Sequence, residues 1–191
     1  QEIRVGIETA HQAAEIVAKQ RSFDSLQDFL TALEHDGTPR IHAVASTHFG
    51  AEPGIADTFM RLALTAAVAR AMQPGCKADH VVVLEGPQGK RKSTALKLLF
   101  DPLDRRWFRD HLPPLDSKDS ALQLMGAWCL EIAEMDAVNA KRTELSMVKA
   151  YVSRSVDSYR PPYERHVKDV PRRSVFFGTT NEREYLQDAT G

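Results

Sequence analysis

The chain has 191 residues, of which 42% are hydrophobic and 27% are charged, and its formal net charge is −1 at pH 7. This composition is typical of a globular protein with a substantial core. A net charge so close to zero argues against a protein that coats nucleic acid uniformly. No apolar run approaches the roughly 18 residues that a membrane span needs, and the N-terminus lacks the pattern of a signal peptide. We therefore expect a cytoplasmic protein with no membrane partner.

Cysteine and histidine form no recognisable ligand pattern. Cys76 and Cys129 lie far apart and outside any CxxC pair, and the closest histidines, His42 and His48, lack a known zinc spacing. Neither a disulfide framework nor a zinc site is predicted. Because the chain begins with Gln1 rather than Met and ends at Gly191 without a stop signal, we expect it to be a fragment of a longer protein.

Residues 1–75 are predicted to form a small helical N-terminal region. The stretch ETAHQAAEIVAKQ has helical spacing of apolar residues, and Asp24 with Gln27 resembles a capping box that opens a second helix, SLQDFLTALEH. The segment HDGTPR is typical of a turn. A third helix, DTFMRLALTAAVARAM, is expected to end before the Pro-Gly pair of QPGC.

Residues 76–191 are predicted to form an α/β domain with a parallel sheet. Val81 to Leu84 is a short apolar run typical of a central strand, and later strands are predicted in RWFRD, AWCLEIAE and SVFFGTTN. Helices are predicted at 92–99, 118–125 and 143–153, between the strands. Ligands of such sheets gather beyond the carboxyl ends of the strands, so polar residues there are the candidates for a site.

The first strand runs into a partial match to the phosphate-binding pattern G-x-x-x-x-G-K-[ST], in which Arg91 stands at the second glycine. Such a loop needs small residues whose N–H groups converge on a phosphate, a lysine for the β- and γ-phosphates, and a hydroxyl for Mg²⁺. The predicted ATP-binding residues are Gly86, Pro87, Gln88, Gly89, Lys90, Arg91, Lys92, Ser93 and Thr94, with Ser93 as a Mg²⁺ ligand. The alternative interpretation is a basic surface turn.

The strand AWCLEIAE carries the acidic candidates. A nucleotide hydrolase needs a carboxylate opposite the loop to hold the Mg²⁺ water shell and to orient or deprotonate the attacking water. Glu134 is predicted to be the main catalytic acid and a metal ligand, with Glu131 assisting, and Asn181 at the end of the last strand is predicted to hold the γ-phosphate or the water. Alternatively, the acids cap a helix or form surface pairs.

Between Lys141 and Arg173 there are nine Lys or Arg residues and four acids, so this segment is locally basic although the whole chain is not. A basic cluster is either a solvated face or a surface for nucleic acid.

These motifs together resemble the virulence-associated protein E family of phage and prophage P-loop proteins, which is related to the superfamily 3 helicases. The resemblance runs from about Asp24 to Gly191. Its residues are DGTPR, FGAE, LEGPQG followed by KST, SKD, GAWCLEIAEMD, DSYRPPY, VPR and FGTTN, in family order and at family-like spacing.

The resemblance implies an AAA+-like P-loop NTPase fold and an ATP-hydrolysing, DNA-associated domain, often joined to a primase-like region and assembled as a homo-oligomeric ring. It assigns the phosphate loop to Gly86, Gly89, Lys92 and Ser93, the acidic strand to Glu131 and Glu134, and the sensor position to Asn181. Arg91 departs from the family's glycine, and the chain stops before an Asn-Arg-Arg segment found in the family. Both departures are expected to weaken hydrolysis more than binding.

In helicases of the resembled superfamily, a hairpin before the sensor strand grips DNA. The segment SRSVDSYRPPYERHVKDVPRR occupies that place, with a turn expected at Pro161 and Pro162. Tyr159 and Tyr163 are candidates for stacking on bases. Alternatively, YRPPY packs within the fold and the charges around it are solvated. The residues predicted to contact single-stranded DNA are Arg154, Arg160, Arg165, His166 and Lys168.

The function that these expectations favour is an ATP-dependent DNA helicase or translocase for replication of a phage or mobile element. The alternative is a degenerate P-loop module that binds DNA or a replication partner without useful hydrolysis. A kinase-like phosphotransferase is disfavoured, because no acceptor site is recognisable.

Overall fold

The computed structural model describes residues 6–112, 120–135, 142–160 and 166–181. The chain divides into two compact units, Gln1–Glu34 and His35–Gly191. No helix within the described ranges is both long enough and apolar enough to cross a membrane. The helical region predicted for residues 1–75 is observed as helices in both units, and the domain boundary near residue 75 stays a prediction.

The first unit contains α1 (Ile7–Gln20) and α2 (Ser25–Ala32), and no residue of α1 is buried. The predicted cap of α2 is present, because the Asp24 carboxylate accepts hydrogen bonds at 3.1 Å from the backbone N–H groups of Leu26 and Gln27. The helix ends three residues earlier than predicted. Leu33 already has an extended backbone, with φ −72° and ψ 128°, so the helix stops before the turn residues of HDGTPR.

The second unit begins with a 3₁₀ turn (Ile41–Ala43), α3 (Val44–Phe49) and α4 (Ile55–Met72). The Asp57 carboxylate joins α3 to α4, since it accepts hydrogen bonds from the backbone N–H of Ser46 at 2.9 Å and of Gly54 at 3.4 Å. The last helix ends directly before Gln73 and the Pro-Gly pair, as the sequence predicted.

The strands of the second unit are β1 (Val82–Glu85), β2 (Phe108–Arg109), β3 (Cys129–Ile132), β4 (Val156–Tyr159), β5 (Lys168–Pro171) and β6 (Val175–Thr180). Between them lie α5 (Lys92–Phe100), α6 (Ser120–Gln123) and α7 (Arg142–Val152). Four strands form a parallel sheet in the order β1–β6–β3–β2. The predicted mixed α/β fold with a parallel sheet flanked by helices is therefore confirmed.

Successive residues of a strand point to opposite faces of the sheet, and both faces are covered by packing. On one face, Leu130, Ile132 and Phe176 pack with Tyr151 and Val152 of α7. On the other face, the ring of Phe100 at the end of α5 packs against Trp128 and Phe177, with ring centroids 5.0 and 5.1 Å away. Central strands buried on both sides explain the uninterrupted apolar runs in the sequence.

Strands β4 and β5 form a separate antiparallel pair, in which Val156 lies opposite Pro171 and Tyr159 lies opposite Lys168. The pair stands in the chain directly before β6, where the family resemblance implied a hairpin. The turn predicted at Pro161 and Pro162 lies outside the described residues.

Candidate nucleotide and nucleic-acid sites

The segment Gly86–Arg91 joins the carboxyl end of β1 to the first residue of α5, as expected of a phosphate-binding loop. Gly89 has φ 82°, a conformation that glycine adopts without strain. A Cβ atom built on Gly86 or Gly89 meets no atom within 4 Å among the described residues, so the space beside the loop is open. Most of the loop is exposed, including Gln88, Lys90 and Arg91, together with Thr94 in the first turn of the helix.

Arg91 is the residue immediately before α5, and it has φ 57° and ψ 33°. These left-handed angles are unfavourable for a residue with a Cβ, by roughly 1–2 kcal/mol. The position where the pattern expects glycine therefore keeps the backbone shape of glycine. This strained residue directly precedes Lys92, the first residue of α5.

The Lys92 ammonium links the loop to the end of β6. It donates to the carbonyl oxygens of Gly86 at 2.6 Å and Pro87 at 3.2 Å, and to the Asn181 Oδ1 atom at 3.0 Å. An ammonium has three donors, so each contact matches one of them. Two residues predicted for the same site, 89 positions apart, are thus brought together.

Glu131 lies at the centre of the site. Its Oε1 atom accepts a hydrogen bond from the Ser93 hydroxyl at 2.7 Å and from the Thr179 hydroxyl at 2.6 Å. The side chain is 1% exposed, and its Oε2 atom has no hydrogen-bond partner among the described residues. A buried carboxylate oxygen without a partner is costly unless a cation or a donor meets it. Glu131 with Ser93 therefore offers two oxygen ligands suited to a hard cation such as Mg²⁺.

Glu131 is buried next to Cys129, and few other described side chains near it could bind a metal ion. Burial raises the pKa of the adjacent Cys129 thiol well above its usual value, and the Glu131 charge adds to this. Within the described ranges, no cluster of three or more His, Cys, Asp or Glu residues is placed to hold a metal ion. A cation here would need phosphate oxygens and water to complete its shell, which is how Mg²⁺ is commonly bound.

Glu134 occupies a different position from the one expected of the main acid. It follows β3, is exposed, and has φ 51°. Ser93 hydrogen-bonds Glu131 and not Glu134. Since β3 ends at Ile132, only Glu131 is held on the face of the sheet that α5 covers. The geometry brings Glu131 to the loop, and the predicted roles of Glu134 stay predictions. Asp136 lies outside the described residues.

The residues predicted to contact DNA divide by environment. Arg160, His166 and Lys168 are exposed near the end of β4 and the start of β5. Arg154 is exposed at the other end, with its guanidinium carbon 5.0 Å from the ring centroid of Tyr151. Arg165 lies outside the described residues.

One expectation for this segment is wrong. Tyr159 is only 9% exposed, because alternate side chains of β4 point inward, so its ring is not available for stacking on bases. Tyr163 lies outside the described residues. Arg172, counted in the basic cluster, is 1% exposed and paired with Asp157 rather than solvated.

Thr179 and Arg70 are buried polar residues that were not singled out from the sequence. Thr179 is one of the polar residues that end the last strand. Alternation along β6 puts its side chain on the same face of the sheet as Phe177, which lies opposite Glu131. Arg70 interrupts an apolar helix, which is a signal that a buried charge has partners elsewhere.

A family model described as the virulence-associated protein E-like domain matches residues 30–191. The chain belongs to this family. No curated protein matches the chain.

Two solved structures resemble the fold. The apo structure of the NrS-1 C-terminal region has a TM-score of 0.51 and 17% identity, over 78% of this chain and 35% of that one. The A form apo structure of the same region has a TM-score of 0.48 and 15% identity, over 78% and 34%. The chain thus spans about a third of the solved region, and at these identities the likeness concerns the fold alone.

Proposed function

We propose that this chain is the P-loop NTPase domain of a DNA helicase or translocase that serves replication of a phage or mobile element. The observation that carries the proposal is the hydrogen bond between Ser93 on the loop and Glu131 on β3. A basic surface turn has no need of a buried carboxylate beneath its hydroxyl. The contact instead matches the pairing that a Mg²⁺–nucleotide requires of its loop and its acidic strand.

The β- and γ-phosphates of ATP would lie over Gly86–Arg91, where backbone N–H groups and the positive end of α5 attract anions. Lys92 would exchange one or more of its protein acceptors for phosphate oxygens, since ammonium contacts to a charged phosphate are stronger than contacts to a neutral carbonyl. Asn181 already contacts Lys92, so it would lie within reach of the terminal phosphate or the attacking water.

Ser93 and Glu131 would hold Mg²⁺ beside these phosphates. Mg²⁺ there would neutralise charge on the phosphate oxygens as the terminal bond breaks. Thr179 restrains the Glu131 carboxylate through its own hydrogen bond to Oε1, and Oε2 has no hydrogen-bond partner among the described residues. The water is oriented or deprotonated by a second carboxylate, and Glu134 is the proposed one.

The DNA part of the proposal rests on the exposed cations near one end of β4 and β5. Arg160, His166 and Lys168 would contact phosphates of single-stranded DNA. Membership of the virulence-associated protein E-like family supports a role in replication. A homo-oligomeric ring and a primase region or partner are proposed on the same ground.

A second candidate function is a degenerate module that binds DNA or a replication partner without useful hydrolysis. Two observations favour it: Arg91 replaces the loop glycine, and Lys92 is already surrounded by protein acceptors. This candidate predicts ATP binding that is weak and insensitive to Mg²⁺.

The deciding experiment measures binding of a fluorescent ATP analogue and ATP turnover, each with and without Mg²⁺ and single-stranded DNA. Mg²⁺-dependent binding together with turnover that DNA stimulates supports the helicase-type ATPase. Binding without turnover supports the degenerate module. Absence of nucleotide binding in a folded protein contradicts the ATPase and leaves the loop as a surface turn.

A further inference from the structure

Arg70 of α4 is a fully buried arginine that joins three separate segments of the second unit. Its guanidinium donates to the backbone carbonyls of Cys76 at 2.9 Å, Ser174 at 3.0 Å and Arg154 at 3.3 Å. These carbonyls belong to the loop after α4, the approach to β6, and the turn between α7 and β4. Burial lowers the pKa of Arg70, and the nearby charge of Arg172 lowers it further. Burying the Arg70 charge is therefore unfavourable, and its three hydrogen bonds to backbone carbonyls offset this.

Arg172 is a second buried arginine in the same place. Its guanidinium holds both oxygens of Asp157 on β4, with Nε 2.8 Å from Oδ2, and it donates to the carbonyl of Tyr151. The guanidinium carbon lies 4.7 Å from the Tyr151 ring centroid and 5.4 Å from that of Phe176. A flat, forked cation is required for this combination of pairing and stacking, and lysine cannot reproduce it.

The backbone of Arg172 completes the attachment. Its N–H donates to Ser155, and its carbonyl accepts from Gly75, each at 2.8 Å. A Cβ atom on Gly75 would lie 3.3 Å from the Cβ of Pro171, so the loop after α4 closely approaches the end of β5. The Val156–Pro171 end of the β4–β5 pair is therefore tied to α4, α7 and β6. We call this end the base of the pair.

The opposite end of the pair carries the exposed cations. Tyr159 lies opposite Lys168 at that end, with Arg160 following β4 and His166 preceding β5. The two strands are only four residues long, and an isolated two-stranded pair is marginally stable in water. The contacts at the base therefore help to fix the orientation of the cations, together with the buried side chain of Tyr159.

We propose that Arg70 and Arg172 are positioning residues for DNA binding, which hold the base of the β4–β5 pair so that its exposed cations meet consecutive phosphates of a single strand. The proposal rests on the DNA contact proposed above. Neither guanidinium touches DNA. Both act through the backbone and through Asp157, and they connect the pair to β6, whose other end carries Thr179 and Asn181.

The test compares three kinds of variant for binding to a fluorescent oligothymidine, each measured well below its own melting temperature. Arg172→Lys keeps the charge at the base but removes the fork. Gly75→Ala is a milder change at the base, and it keeps the test informative if Arg172→Lys does not fold. Arg160→Ala with Lys168→Ala changes the cations themselves, and Lys19→Ala on α1 is the control for loss of an exposed charge.

We expect both base variants to lower DNA affinity and to reduce the slope of log affinity against log salt by about 0.7, the value of one lost phosphate contact on a single strand, while the affinity for a fluorescent ATP analogue stays unchanged. A role in stability alone would lower the melting temperature and leave DNA affinity of the folded protein unaltered. That outcome overturns this proposal if the cation variant still weakens binding. If the unaltered chain does not bind oligothymidine, or if the cation variant binds it as tightly as the unaltered chain, the DNA contact itself is overturned.

Discussion

Ser93 and Glu131 meet across the candidate nucleotide site, with 2.7 Å between the serine hydroxyl and the carboxylate although 38 positions separate them in the chain. The same carboxylate oxygen also accepts from Thr179. One oxygen of a buried acid therefore receives two hydroxyls, and the other has no hydrogen-bond partner within the described ranges.

Glu131→Gln should remove the Mg²⁺-dependent part of ATP-analogue binding and abolish turnover. The amide keeps the size of the side chain but lacks the charge that a hard cation needs. Titration of the analogue with and without Mg²⁺ measures the effect. Unchanged Mg²⁺ dependence would show that Glu131 does not hold the cation.

Glu134→Gln should abolish hydrolysis and leave nucleotide binding nearly intact, because an exposed acid that acts on water contributes little to holding the nucleotide. Steady-state turnover and analogue affinity are measured side by side with Glu131→Gln. Normal turnover in this variant transfers the catalytic role to Glu131 or contradicts the ATPase proposal.

Arg91→Gly should raise turnover more than it raises ATP affinity. Glycine adopts φ 57° freely, so the change relieves roughly 1–2 kcal/mol of backbone strain and removes a long side chain from the loop. Arg106→Gly is the matched control, since Arg106 has φ 64° in a different loop. Equal effects of the two variants on turnover would show that Arg91 does not limit the site.

Replacing Arg160, Arg165 and Lys168 together with Ala should flatten the dependence of single-stranded DNA affinity on salt. Each lost phosphate contact removes about 0.7 from the slope of log affinity against log salt. Anisotropy titrations over a range of salt concentrations measure it, with Lys19→Ala as control. A slope like that of the unaltered chain would identify the cluster as a solvated face.

Gly178→Ala should destabilise the fold by about 1–3 kcal/mol, the usual effect of overpacking a tight core. A Cβ atom there would lie 2.9 Å from Val83 Cγ2 and 3.0 Å from Met135 Cγ, in the middle of the sheet. Urea unfolding gives the change in free energy. Gly6→Ala is the control, because a Cβ at Gly6 meets no atom within 4 Å. Equal unfolding midpoints for the two variants would contradict the close approach of β1 and β6.

Asp57→Asn should lower the melting temperature at neutral pH, by an amount that shrinks in acid. The backbone hydrogen bond from Ser46 holds the pKa of Asp57 below its usual value. A carboxyl whose folded pKa is depressed stabilises the protein fully above its unfolded pKa of about 3.9, and this contribution is lost as pH falls through the folded pKa. Melting curves between pH 7 and about pH 3 for both proteins measure the difference. A constant difference would show that the Asp57 charge does not join α3 to α4.

The sequence by itself determined the parallel α/β fold, the loop between β1 and α5, and the places of all four strands of the parallel sheet, but not α3, β4 or β5. These features depend on local properties: short apolar runs, helical spacing, and breakers such as Pro74 and Gly75. The cap at Asp24 belongs to the same class, because the hydrogen bonds reach only two and three residues along the chain.

Only the tertiary structure decided which acid meets Ser93, which cations are buried, and which tyrosine is covered. Glu131 and Glu134 are the same residue type, and both lie at the end of one apolar run. Their environments differ because β3 ends at Ile132, so only Glu131 is held in the sheet beneath α5. Arg172 and Lys168 belong to the same basic cluster in the sequence. In the structure Arg172 is buried, where it pairs with Asp157 and stacks on Tyr151, whereas Lys168 is exposed. Such choices depend on partners between 15 and 104 positions away, and no local pattern records them, because a charge is buried only where distant segments supply its hydrogen bonds.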